Sequence, residues 1–207
     1  MMNSIQDPCG GKATLAAKDG NSKLADMDRK ILFIEGTQDR SNGTLRQGFH
    51  KLLRQLLKGN MPRIIMGNGK SQAIKKFKKN KLSPMGYLLI DLDAEKTQKE
   101  LSLEQAGLLH HKDMVFFMIQ EMEAWFISQP AILDAYYNKP ISASLPKAPP
   151  QNIADPATLL KRMTKDTQKG TYHKVKHGTA LLELLDAHVL RTAFAEFDAM
   201  IRKIASD

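Results

Sequence analysis

The feature that most constrains the fold is a set of three short apolar runs, each followed by acidic residues. The runs cover residues 31–34, 87–90 and 114–119 and are rich in Ile, Leu, Val and Phe. Runs of this length and composition are typical of strands buried on both faces of a parallel sheet. The acidic residues that follow them are Glu35, Asp91, Asp93, Glu121 and Glu123.

The position of these carboxylates predicts a cation site. Ligands of open α/β sheets bind beyond the carboxyl ends of the strands, so we expect the acidic side chains to converge at one edge. Grouped carboxylates repel one another and are costly to desolvate. Mg²⁺ or Mn²⁺ relieves both problems, and a pair of such ions supports phosphoryl-transfer chemistry.

The rest of the first two thirds of the chain alternates strand and helix patterns. Strands are predicted at about 30–35, 63–66, 87–92 and 114–120, and helices at about 44–58, 71–80 and 102–110. This order predicts an α/β fold with a mainly parallel four-stranded sheet, flanked by helices and joined by right-handed crossovers.

The C-terminal third has a different, helical character. Predicted helices cover about 121–137, interrupted or ended near Pro130, then 155–164, and 178–204 in one or two pieces. We expect these helices to cap the sheet. The resulting organisation is a flexible leader over 1–26, an α/β core over 27–138, and a loop and helical cap over 139–207 of the same domain.

Composition favours a polyanionic partner in the cytoplasm. The net charge is +9 and the pI is about 9.6, which favours nucleic acid over a membrane surface; the alternative is that the extra lysines only aid solubility.

Cys9 is the single cysteine, so neither an internal disulfide nor a cysteine zinc site is possible. We find no secretory signal and no apolar stretch long enough to cross a bilayer, and therefore expect a cytoplasmic location. The oligomeric state stays open.

The candidate metal ligands each have an alternative interpretation. Asp91 and Asp93 are two residues apart, so on a strand they point to the same face; the alternative is an Asp that caps the next helix. Glu35 is a candidate metal ligand or general base, and its alternative is an exposed strand end. Glu121 and Glu123 are further candidate ligands. They share a face if extended, whereas only one can face the site if helical.

Two basic segments are candidate phosphate contacts. The first is a compact positive patch of Lys70, Lys75, Lys76, Lys78, Lys79 and Lys81, for which the alternative is a solvated helix face. In the second, Lys174 or Lys176 would offset the charge that develops on a phosphate; the alternative is a plain loop before a helix. The segment 67–71 lacks the glycine spacing of a nucleotide-binding loop, which argues against an ATPase.

The motifs together resemble a known pattern. A strand ending in Glu35-Gly36 followed by a strand ending in Asp91-Leu92-Asp93 is similar to Toprim domains, the metal-binding modules of topoisomerases, primases and nucleases of the overcoming-lysogenization-defect type. The segments 33–36, 90–93 and 118–126, with the later 172–178, resemble the bacterial family called domain of unknown function 4276. The resemblance covers about 30–204. The pattern departs from Toprim domains in having no glycine soon after Asp93.

The resemblance implies a metal site formed by Glu35, Asp91 and Asp93. It also implies a place in mobile-element or phage-defence loci, with an ATPase subunit of ABC or AAA type as a candidate partner. The first hypothesis is therefore a Mg²⁺- or Mn²⁺-dependent nuclease, a hydrolase of DNA or RNA phosphodiester bonds. The second is a non-catalytic nucleic-acid-binding or regulatory subunit of an ATPase-containing complex. A phosphatase is a weaker alternative, because the basic surface favours a polymeric substrate.

Overall fold

Four short strands form one all-parallel sheet in the order β2-β1-β3-β4. The strands are β1 (Ile31–Ile34), β2 (Arg63–Met66), β3 (Gly86–Asp91) and β4 (Val115–Met118). This sheet confirms the predicted fold class. The computed structural model describes residues 30–36, 45–81 and 85–207. The expected leader over 1–26, with Cys9, lies outside the described residues.

Nine α-helices of the described residues surround the sheet. They are α1 (Leu45–Leu57), α2 (Lys70–Lys78), α3 (Lys99–Gln105), α4 (Glu123–Ile127), α5 (Pro130–Tyr137), α6 (Pro156–Thr164), α7 (Lys174–Leu184), α8 (Ala187–Ala193) and α9 (Ala195–Ser206). None of these helices is both long and apolar enough to cross a membrane.

Two helix boundaries differ from the sequence prediction, whereas the predicted break near Pro130 is confirmed. The helix expected at 102–110 lies at Lys99–Gln105, because Gly107 takes a left-handed conformation (φ +60°) that ends the helix. The segment 121–137 is two helices, with Pro130 at the first turn of the second, as its fixed φ favours. The segment expected to be helical at 178–204 is covered by three helices, the first of which begins early, at Lys174.

The two faces of the sheet carry separate helices. Alternate strand residues such as Leu32, Ile34 and Leu89 pack in the larger core, which also contains the buried faces of α1, α7 and α9. The intervening residues, such as Phe33 and Ile90, pack in the smaller core with α2 and α3. The last residue of β3, Asp91, continues the first alternation, so its side chain emerges on the face covered by the C-terminal helices.

Trp125 links the sheet region to the C-terminal helices. Its ring is 1% exposed and lies 6.3 Å from the ring of Phe49 in α1 and 5.1 Å from that of Phe197 in α9. Both contacts are edge-to-face arrangements, which aromatic rings prefer. The C-terminal helices therefore share one core with the sheet, and they bring α7 to the edge where β3 ends.

Candidate functional site: a buried carboxylate cluster

The ends of β1 and β3 bring Glu35 and Asp91 together. The backbone N–H of Asp91 donates to Oε2 of Glu35 over 3.0 Å. Neighbouring parallel strands end at the same edge of the sheet, and β1 and β3 are direct neighbours in it. The Glu35 carboxylate therefore lies against the backbone of Asp91 and is repelled by the Asp91 carboxylate. The sequence predicted this proximity from the positions of both residues after strands.

The carboxylate of Asp91 accepts two hydrogen bonds and is almost inaccessible. The Met122 N–H donates to Oδ1 over 2.9 Å, and the Lys174 ammonium donates to Oδ2 over 2.9 Å. The side chain of Asp91 is 4% exposed. Lys174 is the first residue of α7, so a helix 83 residues further along the chain supplies the cation. A carboxylate buried this deeply needs such partners to remain ionised.

Glu123 is the second buried carboxylate of the site. It begins α4 and is 1% exposed, and its Oε2 lies 3.6 Å from the Lys174 ammonium. The hydroxyl of Tyr172 donates to Oε1 over 2.7 Å. Oε2 has no hydrogen-bond partner among the described residues. Tyr172 was not predicted as a site residue. Its position two residues before Lys174 was the available signal, but the pairing with Glu123 depends on tertiary structure.

Negative charge exceeds positive charge in this cluster. Burial, followed by repulsion from Asp91, raises the pKa of Glu35 to about 7. Burial, followed by repulsion from Glu123 and Asp91, raises the pKa of Glu121 to about 7. Burial also raises the pKa of Asp91, although the attraction of Lys174 acts against it. Four carboxylates thus share one ammonium group.

Lys174 remains charged in this setting. Burial by itself lowers the pKa of its ammonium, but the attraction of Asp91 and Glu123 outweighs burial, and the pKa is raised. The lysine therefore acts as a fixed internal cation between two buried carboxylates. Lys176, the other predicted lysine, is not part of the cluster. Its ammonium donates to the backbone carbonyl of Lys169 over 3.2 Å.

Asp93 does not share the environment of Asp91. The strand ends at Asp91, and Asp93 takes a left-handed conformation (φ +58°), so strand alternation does not extend to it. Its side chain is 59% exposed and pairs with the ammonium of Lys70 over 2.7 Å. The charge of Asp93 still contributes to the raised pKa of Glu35. It therefore lies on the rim of the cluster, and its N–H is fixed by a 2.7 Å hydrogen bond to the carbonyl of Gln120.

The lysines of the predicted patch divide into three kinds. Lys70 pairs with Asp93 at the cluster. Lys76 and Lys78 donate to backbone carbonyls, those of Met66 and Ala106. The remaining lysines of the patch are exposed on or just after α2, and they are Lys75, Lys79 and Lys81.

The cluster suits a hard divalent cation in chemistry and charge. Its donors are carboxylate oxygens, one of which, Oε2 of Glu123, is buried without a hydrogen bond. A divalent cation would also relieve the repulsion that, after burial, raises the pKa values of Glu35 and Glu121. The described residues nevertheless contain no group of three or more His, Cys, Asp or Glu side chains arranged to hold a metal. Lys174 is the cation that Asp91 and Glu123 share.

Comparison with known proteins supports the family resemblance. The sequence profile of a family described as Domain of unknown function (DUF4276) matches residues 42–205. The chain belongs to this family. The match includes Asp91, Glu123 and Lys174, whereas Glu35 and β1 precede it. Searches of curated proteins and of solved structures found no match to the chain.

Proposed function

We propose that this DUF4276 protein is a Mg²⁺- or Mn²⁺-dependent nuclease of Toprim type that acts on nucleic acid in the cytoplasm. The observation that carries the proposal is the cluster of two buried and two half-buried carboxylates around one lysine, at the carboxyl edge of a parallel sheet. The Toprim relation rests on the order of the Glu-Gly and Asp-x-Asp motifs. A role in phage defence or mobile-element biology is part of the same proposal.

Each residue of the cluster has a distinct part in this proposal. Asp91, Glu121 and Glu123 would hold the cations together with Glu35 and Asp93. The metal would polarise a phosphate oxygen and lower the pKa of a bound water. Lys174 orients Asp91 and Glu123, and its charge would offset charge that builds on the phosphate. Glu35, whose carboxylate lies against the backbone of Asp91 at the same sheet edge, is the candidate to accept a proton from the attacking water.

The test is a cleavage assay on end-labelled single-stranded DNA, duplex DNA and RNA with Mn²⁺, Mg²⁺ or EDTA. We expect fragments with either metal and none with EDTA. Replacing Glu121 by Gln removes one carboxylate and should lower turnover by orders of magnitude. Glu104→Gln, an exposed change on α3, is the matched control and should leave turnover unchanged. Equal cleavage by both variants would contradict the metal-site assignment.

A second candidate is a non-catalytic nucleic-acid-binding or regulatory subunit of an ATPase-containing complex. The observation that favours it is that Lys174 already pairs with Asp91 and Glu123, while the described side chains form no ready-made metal site. Thermal melts separate the candidates. A nuclease should gain stability with Mn²⁺, and Glu121→Gln should reduce that gain. If the protein binds nucleic acid without cleaving it, and its melting temperature does not rise with Mn²⁺, the second candidate is supported.

A further inference from the structure

A groove of about 360 Å³ lies beside α2, away from the carboxylate cluster. Helix α2 packs on the sheet through Ala73 and Phe77, which are buried with residues of β1 and β3. On the same face, Ile65 of β2 remains only half-buried. Ile65 and Phe33 therefore give the groove an apolar lining. The rest of the lining is polar or cationic and consists of Gln72, Lys75, Lys76, Lys79, Asn80 and Lys81.

The positive charge of the groove is not neutralised by neighbouring acids. None of its four lysines takes part in the ion pairs formed among the described residues. Lys76 donates to the backbone carbonyl of Met66, which holds its ammonium at the outer edge strand of the sheet. Lys75, Lys79 and Lys81 are exposed. The groove thus combines uncompensated ammonium groups with an apolar lining.

We infer that this groove binds single-stranded nucleic acid, with phosphates on the lysines and an unpaired base against Ile65. Phe33 also lines the groove but is 3% exposed, so Ile65 supplies the accessible apolar contact. A polyanion with exposed apolar faces matches both properties of the groove. In a duplex the bases are stacked inside, so its outer surface would leave the apolar lining unused. Binding of single strands commonly combines a cationic groove with contacts to base faces.

The direction of α2 connects the groove with the carboxylate cluster. The helix begins at Lys70, which pairs with Asp93 on the rim of the cluster, and it rises about 12 Å to Lys78. A strand lying along α2 would therefore reach the carboxyl edge of the sheet. This inference deepens the proposed function by naming a single-stranded substrate, but binding in the groove requires neither metal nor cleavage.

The experiment measures binding in EDTA, so that cleavage plays no part. The probes are a fluorescent thirty-nucleotide oligothymidylate and a duplex of equal length, titrated at several salt concentrations. The variant carries Lys75→Gln, Lys79→Gln and Lys81→Gln. The control carries Lys112→Gln, Lys147→Gln and Lys165→Gln, which removes the same charge at exposed positions on other elements. Circular dichroism melts verify that both variants are folded.

We expect tighter binding of the single strand than of the duplex by the wild-type protein. Loss of three phosphate contacts should lower the log–log salt slope by about two and weaken single-strand binding on the order of 100-fold at about 0.1 M salt. The control should lose far less. Equal losses in both triple variants, or a preference for the duplex, would overturn the inference.

A second variant tests the apolar lining. Ile65→Glu places a carboxylate at a half-buried position of the groove, where it would repel the phosphates and the base would lose its apolar contact. We expect the fluorescence of 2-aminopurine within a single strand to rise on binding to wild type, because the base leaves the stack of its neighbours for an aliphatic contact, and we expect that rise to be lost in the variant. An unchanged rise in the variant, or binding of the groove only to anionic vesicles, would also overturn the inference. If the wild-type protein binds single strands in EDTA but cleaves no nucleic acid with Mg²⁺ or Mn²⁺, the groove is supported as a binding site and the proposed nuclease activity is contradicted.

Discussion

At the scale of single residues, the central feature is the pairing of Lys174 with two buried carboxylates. The ammonium nitrogen lies 2.9 Å from Oδ2 of Asp91 and 3.6 Å from Oε2 of Glu123, although the three residues come from β3, α4 and α7. A buried ion pair contributes little net stability, but removal of one partner leaves an uncompensated charge. Lys174 is therefore expected to stabilise the fold, and it is also a candidate for a role in the proposed chemistry.

Replacing Lys174 by Met tests the structural part. The change keeps the aliphatic stem and removes the cation from Asp91 and Glu123, whose side chains are 4% and 1% exposed. We expect the free energy of unfolding near pH 7 to fall by about 3 kcal/mol. This value is at the lower end of the range for removing one partner of a buried ion pair, because the lysine itself is 35% exposed. Urea unfolding measures the change.

Lys176→Met is the matched control for this prediction. Lys176 lies two residues further along α7, and its ammonium contacts only a backbone carbonyl at an exposed position. Its replacement should change stability by less than about 0.5 kcal/mol. Similar losses for the two variants would show that general charge reduction, and not the buried cluster, explains the effect of Lys174.

At the scale of elements, the turn between β2 and α2 sets the position of α2. Gly67 follows β2 directly, and its N–H donates to the carbonyl of Ile34. A Cβ at Gly67 would lie 2.4 Å from the Cβ of Ala73 and 2.7 Å from its Cα. The absence of a side chain at Gly67 therefore lets the first turn of α2 approach the end of β2 closely.

Gly67→Ala should displace α2 and destabilise the fold. The clash involves the backbone of α2, which cannot rotate away as a side chain can, so we expect a loss of about 1–3 kcal/mol. Gly59→Ala is the control, since a Cβ there meets no atom within 4 Å. That variant should be neutral or stabilised by up to about 1 kcal/mol. Equal unfolding midpoints in urea for both variants would contradict the packing argument.

At the scale of the whole molecule, stability and site charge are coupled. The carboxylate cluster lies between the sheet and the C-terminal helices, so folding buries it. The pKa values of Glu35 and Glu121 rise from 4.5 to about 7 in the folded chain, which therefore binds more protons than the unfolded chain between these pH values. Without metal ions, these two groups lower stability as pH rises through that window.

Neutral replacements should remove this pH dependence. In EDTA, the double variant Glu35→Gln/Glu121→Gln should have nearly wild-type stability at pH 4.5 and gain about 2 kcal/mol over wild type by pH 7.5, a value reduced because both groups are partly exposed. Melting temperatures across this range measure the gain. Glu100→Gln/Glu104→Gln, two exposed changes on α3, provides the control. A gain that does not grow with pH would contradict the raised pKa values.

The sequence by itself was sufficient to predict the sheet and the edge that carries the acids. Hydrophobic runs indicated the four strands because strands buried on both faces need continuous apolar residues. The positions of Glu35 and Asp91 after two such runs predicted their proximity, because parallel strands end together. The break of the helix at Pro130 followed from the fixed φ of proline.

Tertiary structure decided which residues complete the cluster. Strand alternation predicted a shared face for Asp91 and Asp93, but the backbone turns at Asp93 through a hydrogen bond to the loop after β4. The choice of Lys174 over Lys176, and the contact of Tyr172 with Glu123, depend on how α7 docks on the end of β3. Local sequence patterns report the conformation of a segment and which of its faces is apolar. Contacts between residues 83 positions apart arise only when the whole core packs.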